Sequence, residues 1–349
     1  SCSSDVNSDE QKGDKTLVTL TIAASGNAAT ASRAISGNSS TITRAGVSDS
    51  GDKDYYISDL TVMIFDESGY VIGSTTKQAS DLSIADGKIT IKVLTRAAQN
   101  CTVYAIANAL ALNGGKTPFA GIATLSALTS MEKTYTHADD INKETCLLMM
   151  GKTADKSFDT TNSGSAAAIS LQRLASKIDF NFTVNDDQTT GFPIVVDSYQ
   201  LCNVPTSTLY QQSDFTNNPS MPSGSTSTSL YQSQGSIVST AAGATKTYSC
   251  YVYTNTDASY KTYLLINAHS AVTGSDGRTT YKVWNSVFRV NMPDVVKPNM
   301  HYTVNITIKG SANTSGVGGV ITTYNAYPYF SGSTLNPWQS ETDRNLDLQ

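Results

Sequence analysis

The chain has 349 residues, enough for two domains that each bury a core of their own. Charged residues make up only 15%, and the net charge of −5 comes without basic blocks, so the attraction that nucleic acid or an anionic lipid surface needs is missing. No run of about 18 apolar residues is present to cross a bilayer as a helix, and the wealth of Thr, Ser, Tyr, Ala and Gly points to an all-β protein of short strands and polar turns.

In chain order, Ser1-Cys2-Ser3-Ser4-Asp5 with Asp9 and Glu10 reads as the start of an exported bacterial lipoprotein. Cys2 is then the lipid-bearing residue, any membrane attachment runs through it, and residues 1–16 are a tether. From Lys15 to Ile22 the pattern alternates: Val18, Leu20 and Ile22 share one face of a strand, Thr19 and Thr21 the other. A loose linker rich in Ser, Ala and Gly, residues 23–54, follows, so the strand 17–22 reads as removable. Arg33-Ala34 and Arg44-Ala45 lie in that linker, each within reach of an arginine-specific protease.

Ile57 to Asp66, the turn at Gly69 and Tyr70 to Gly73 predict a hairpin. Lys88 to Leu94 puts Ile89, Ile91 and Val93 on one face, and Cys101 to Asn108 is a further strand. Ser126 to Ile141 has room for a short helix. After Leu147 to Thr153 and the polar run Asp159 to Ser165, Ala168 to Val184 reads as one long strand with Ile178, Phe180, Phe182 and Val184 facing together. The expected domains are therefore 17–165 and 166–319. In the second, strands at 194–201, 248–253, 260–268, 281–290 and 302–308 surround a long polar loop, Pro205 to Ser236. Pro328 and Pro337 confine any strand in the tail 320–349 to sheet edges.

Catalytic, cofactor and metal sites are not expected. Gly151-Lys152-Thr153 lacks the partner glycine of a phosphate loop, since Cys146 stands in its place. His137, His269 and His301 have no ligand-like spacing, and Cys-x-x-Cys does not occur. Asp139-Asp140 and Asp186-Asp187 are adjacent, so they cannot face one another across a glycosidic bond, and a Gly-x-Ser-x-Gly elbow is lacking. Cys101, Cys146, Cys202 and Cys250 sit in apolar strand contexts and are expected as buried free thiols, disulfides being the alternative. Tyr248, Tyr251, Tyr253, Tyr260 and Tyr263 would suit an aromatic platform for sugar rings, or ordinary cross-strand packing.

Four pieces in order carry a resemblance: Leu60 to Asp66 with Gly69; Tyr104 to Asn108; Leu171 to Ile178; and Lys297-Pro298-Asn299-Met300-His301 running on to Ile308. Together with Met149-Met150-Gly151 and Asn336-Pro337-Trp338, they make the chain similar to the fimbrillin family, the subunits of type V pili of Bacteroidales. The resemblance implies two tandem β-sandwich domains of transthyretin-like, Greek-key type with minor helical insertions. It also implies export as an outer-membrane lipoprotein, cutting by an arginine-specific protease, loss of the first strand, and polymerisation by strand exchange with copies of itself or related fimbrillins into an adhesive surface fimbrium. Arg44-Ala45 matches the cleavage site better because it directly precedes the lead into the first domain strand, and Arg33-Ala34 competes with it. The donor is expected from 320–349, with Val320, Thr322, Tyr324, Leu335 and Trp338 as candidate residues, filling the place of Val18, Leu20 and Ile22. Shaft, tip and accessory roles stay open, as does the host or microbial ligand. The alternative of a different class is a surface glycan-binding lipoprotein.

Overall fold

The computed structural model describes residues 15–24, 53–54, 56–85, 88–159, 168–211, 237–240, 242–257, 259–292, 296–311, 320–328 and 344–346. The first half contributes β1 (Lys15–Ala24), β2 (Asp59–Phe65), β3 (Val71–Gln78), β4 (Ser83–Ala85), β5 (Lys88–Arg96), β6 (Ala98–Ala107), β7 (Glu132–Thr134), β8 (Met149–Phe158) and β9 (Ala168–Arg173). The second contributes β10 (Ala175–Val184), β11 (Ile194–Cys202), β12 (Ser207–Leu209), β13 (Ile237–Val238), β14 (Ala244–Tyr253), β15 (Tyr263–Thr273), β16 (Thr280–Asn291), β17 (Met300–Ile308), β18 (Val320–Pro328) and β19 (Arg344–Leu346). The described residues are nearly all β with a few short helical turns, as the composition predicts.

The amino-terminal sheet runs β1-β9-β8-β6-β2-β3-β5-β4, and β1 also pairs with β5. Seven strands therefore form a closed ring, with β4 as an appendage of β5, where the resemblance implies a β-sandwich. Closure follows from β1 being paired along both edges. Inside the ring, alternate residues of β5 (Ile89, Ile91, Val93) and β6 (Cys101, Val103, Ala105) pack on Leu60, Val62 and Ile64 of β2. Every residue of β2 is buried, because Met63 and Phe65 on its other face lie under Leu112, Phe119, Leu128 and Tyr210. Gly151 of β8 needs its missing side chain: a Cβ there would stand 2.3 Å from the Ser170 carbonyl of β9. Its role is close strand packing, and no phosphate loop forms.

The carboxy-terminal half has a five-stranded sheet, β14-β10-β17-β18-β19, and a four-stranded one, β13-β11-β15-β16. Ile178, Phe180 and Phe182 of the first share a core with Tyr199, Leu264, Ile266 and Phe288 of the second. A small sheet joins β7 to β12.

Two local expectations are corrected. The long strand 168–184 breaks at Leu174, whose N–H donates to the Leu148 carbonyl at 3.0 Å. Asn299, left-handed at φ 58, holds this crossing: its Oδ1 accepts from Arg173 N at 3.0 Å and its own N–H donates to the Ala175 carbonyl at 2.9 Å. The chain thus leaves one sheet for the other, with β9 in the amino-terminal sheet beyond residue 165. The helix within 126–141 shortens to Leu125–Thr129, since the hydroxyls of Thr129 and Ser130 bond back to the carbonyls of Leu125 and Ser126 and β7 follows at once.

The four described cysteines are free and buried, and burial pushes the thiols of Cys101 and Cys146 up to about 11 and about 12. Such thiols pack as small hydrophobes rather than react. His269 Nδ1 meets Asp197 at 2.8 Å and His301 Nε2 meets Asp179 at 2.6 Å, so these two histidines have separate carboxylate partners. Among the described residues there is no cluster suited to hold a metal ion.

Candidate functional site, the slot under the first strand

β1 runs antiparallel to β5, from Lys15 opposite Arg96 to Ala23 opposite Lys88, and parallel to β9 from Thr21 opposite Ala168 to Ala24 opposite Leu171. Its alternation places Val18, Leu20 and Ile22 inward at 1%, 0% and 0% exposure, against Ile89, Ile91, Val93, Ile169 and Leu171. The Thr16 hydroxyl donates to the Asp159 carbonyl at 3.1 Å. Burying such an apolar side chain contributes about 1.5–3 kcal/mol, and each ladder hydrogen bond adds about 1 kcal/mol net.

Among the described residues no hairpin ties β1 to either neighbour, since the next described strand, β2, sits elsewhere in the sheet. Among these residues, pairing, packing and the Thr16 hydrogen bond hold it. If β1 departs, β5 and β9 become edges, and an apolar slot lined by Ile89, Ile91, Val93, Ile169 and Leu171 opens between them. Unpaired edges of this kind template another strand.

Where the described chain resumes, it is firmly held. Lys53 Nζ donates to the carbonyls of Ile141, Asn142 and Glu144 at 3.0, 3.1 and 3.3 Å and stands 4.4 Å over the Tyr251 ring. Burial pushes its ammonium below the ordinary lysine range, offset only in part by Asp54 and Glu144. Asp54 meets Lys177 Nζ at 3.4 Å and accepts from the Tyr251 hydroxyl. Asn108, left-handed at φ 71, secures the next turn: its amide donates to the carbonyls of Tyr56 and Leu147 at 2.8 and 2.6 Å, and its Oδ1 accepts from Ser58 N at 2.7 Å. Asp59 accepts from the N–H groups of Leu110 and Ala111, both at 2.9 Å. Its carboxyl is nevertheless raised above the usual range, because burial outweighs those two bonds.

Cys2, Arg33, Ala34, Arg44, Ala45, Leu335 and Trp338 lie outside the described residues. Val320, Thr322 and Tyr324 fall on β18, opposite Ile308, Ile306 and Val304 of β17 respectively. The structure thus places the described candidate donor residues in the carboxy-terminal sheet, away from the slot of their own chain. Four of the five tyrosines are engaged within the fold, and Tyr260 is half-exposed. Tyr253 is buried and stacked on Tyr135, Tyr248 stacks on Phe180, Tyr251 serves Asp54, and Arg289 covers Tyr263 at 3.8 Å. Sequence reasoning missed Lys53 and Asp54, which no periodicity marks. It included Asn108 and Asn299 only as parts of longer pieces, although asparagine at a strand end is a signal for a left-handed turn.

A family model described as Major fimbrial subunit protein (FimA) matches residues 18–196, just over half of the chain, and its match begins inside β1. The chain belongs to the FimA family of major fimbrial subunit proteins. This FimA-family chain is therefore a structural protein and not an enzyme. Its fold is similar to that of a candidate cell adhesion protein from Bacteroides eggerthii DSM 20697, at TM-score 0.56 and 18% identity over 90% of this chain and 96% of the other. A fimbrial assembly protein from Parabacteroides distasonis ATCC 8503 gives TM-score 0.52 and 12% identity, covering 90% and 97%. A fimbrilin (fimA) from Porphyromonas gingivalis W83 gives 0.50 and 14%, covering 91% and 99%. No curated protein shows a significant match.

Proposed function

We propose that this FimA-family chain is a fimbrial structural subunit that assembles by giving up β1 and accepting a strand from a neighbouring copy or a related fimbrillin. The observation that carries this reading is β1 itself: fully buried on its inner face, paired along both edges, and, among the described residues, joined to its neighbours by no hairpin. Lipidation at Cys2 holds the precursor at the outer membrane, and an arginine-specific protease cuts after Arg44, with Arg33 as the competing site. Cell-surface adhesion is the resulting role. The donor comes from residues 320–349. We read the chain as two tandem domains whose boundary lies between β8 and β10.

Tethering explains the timing. A strand tethered to its own chain competes at an effective concentration on the order of millimolar, so a free donor segment rarely displaces it. Once the linker is cut, β1 can dissociate for good, while Lys53, Asp54 and Asn108 keep the following chain in place. The rival reading, a glycan-binding lipoprotein, loses support because four of its five tyrosines are engaged within the fold, by ring stacking, a hydrogen bond or a covering arginine.

Purified precursor treated with an arginine-specific protease is expected to form ladders that resist heat and detergent on a gel. A shortened monomer that never forms ladders, yet binds a polysaccharide, would support the rival instead.

A further inference from the structure

We infer that cations on the outer face of β5 select the incoming strand of a second copy by its acidic row, and that residues 343–349 are the segment they fit. This rests on the strand-exchange reading above and says which strand enters, and in which register.

The outward residues of β5 are Lys88, Thr90, Lys92, Leu94 and Arg96, alternating with the buried Ile89, Ile91 and Val93. β1 answers this row poorly. Opposite Arg96 it places Lys15, opposite Leu94 Leu17, opposite Lys92 Thr19 and opposite Thr90 Thr21. Like charges directly opposite one another destabilise an antiparallel pair. On the other flank, β9 offers the uncharged Ser170 and Gln172. The described carboxylate in reach is Asp66, 3.8 Å from Arg96 in a partly exposed pair.

The tail carries the complement. All acidic residues of 320–349, namely Glu341, Asp343 and Asp347, have one parity, and Leu346 and Leu348 have the other. On a strand that parity separates an acidic face from an apolar one. Setting 343–349 in the places of 15–21 puts Asp343 opposite Arg96 and Asp347 opposite Lys92, while Leu346 and Leu348 take the places of Val18 and Leu20 opposite Val93 and Ile91. Arg344 takes the place of Thr16, the buried first position of the inward row, where the Asp159 main-chain carbonyl accepts a hydrogen bond. A shift by two residues would set Asp343 opposite Leu94 and Asp347 opposite Thr90, away from both cations, and would carry Arg344 deeper, to the place of Val18, which fixes the register. Among the described residues, Arg344–Leu346 pairs within its own chain with Thr322, Thr323 and Tyr324 of β18, a contact to give up.

The test is a charge-swap cycle on the full chain, comparing wild type, Lys92→Glu, Asp347→Lys and the double variant after cutting with an arginine-specific protease. At low salt each single variant is expected to form ladders about fivefold more slowly, and the double variant to return to within about twofold of wild type. High salt should shrink the differences. A peptide of residues 343–349 should inhibit wild-type assembly, and its Asp347→Lys form should inhibit less. Single variants that assemble at the wild-type rate, or a double variant no faster than the slower single, would overturn the register while leaving strand exchange intact. A cut wild-type chain that forms no ladders would overturn strand exchange itself. Unchanged melting of the uncut variants excludes misfolding as the cause.

Discussion

Replacing Leu20 with alanine is expected to lower the stability of the uncut subunit by about 2–5 kcal/mol and to leave the assembled polymer unchanged. Leu20 has no exposed surface and sits opposite Ile91 in the core of the closed sheet. Truncation there removes apolar contact and leaves a cavity that a ring of paired strands cannot readily collapse. If β1 is gone from the polymer, the substitution no longer matters once assembly is complete. The urea midpoint of the precursor and the heat resistance of the ladder measure the two states separately. A ladder weakened as much as the precursor would mean that β1 stays in the assembled subunit.

Asn108→Ala should destabilise cut and uncut forms alike, by about 4 kcal/mol or more. The side chain makes hydrogen bonds with Tyr56, Leu147 and Ser58 at a residue with no exposed surface, and each buried partner left unsatisfied costs about 1–3 kcal/mol. Alanine at φ 71 adds about 1–2 kcal/mol of left-handed strain. Asn108→Gly relieves the strain and retains the hydrogen-bond loss, so it should fall between wild type and the alanine variant. Chemical denaturation gives all three values, and a loss below about 1 kcal/mol for Asn108→Ala would contradict this account of the turn.

Strand faces were legible because the side-chain period of two is local. Val18, Leu20 and Ile22 are inward, as are Ile89, Ile91 and Val93, and the two sets meet in register. Ring closure was not legible, since pairing of β1 with β5 and β9 joins residues far apart in sequence. The break at Leu174 escaped notice for a related reason: the pattern from Ala168 to Val184 continues through it, and the distant Asn299 turns the chain. At the candidate site, the apolar slot follows from alternation, whereas the Lys53 anchor depends on carbonyls at the end of a 3-10 helix, Ala138–Lys143, 88 to 91 residues away.

The central claim, that β1 must leave for a neighbour's strand to enter, is tested most directly by locking it in place. Thr21 and Thr90 stand opposite each other across β1 and β5, at the spacing of antiparallel partners, about 4.5–5.5 Å between Cα atoms, which a disulfide can bridge. In a Cys2→Ser background, the oxidised Thr21→Cys/Thr90→Cys chain should stay monomeric after the linker is cut and form ladders once a reductant is added. Ladders of equal yield from the oxidised and reduced chains would contradict the account.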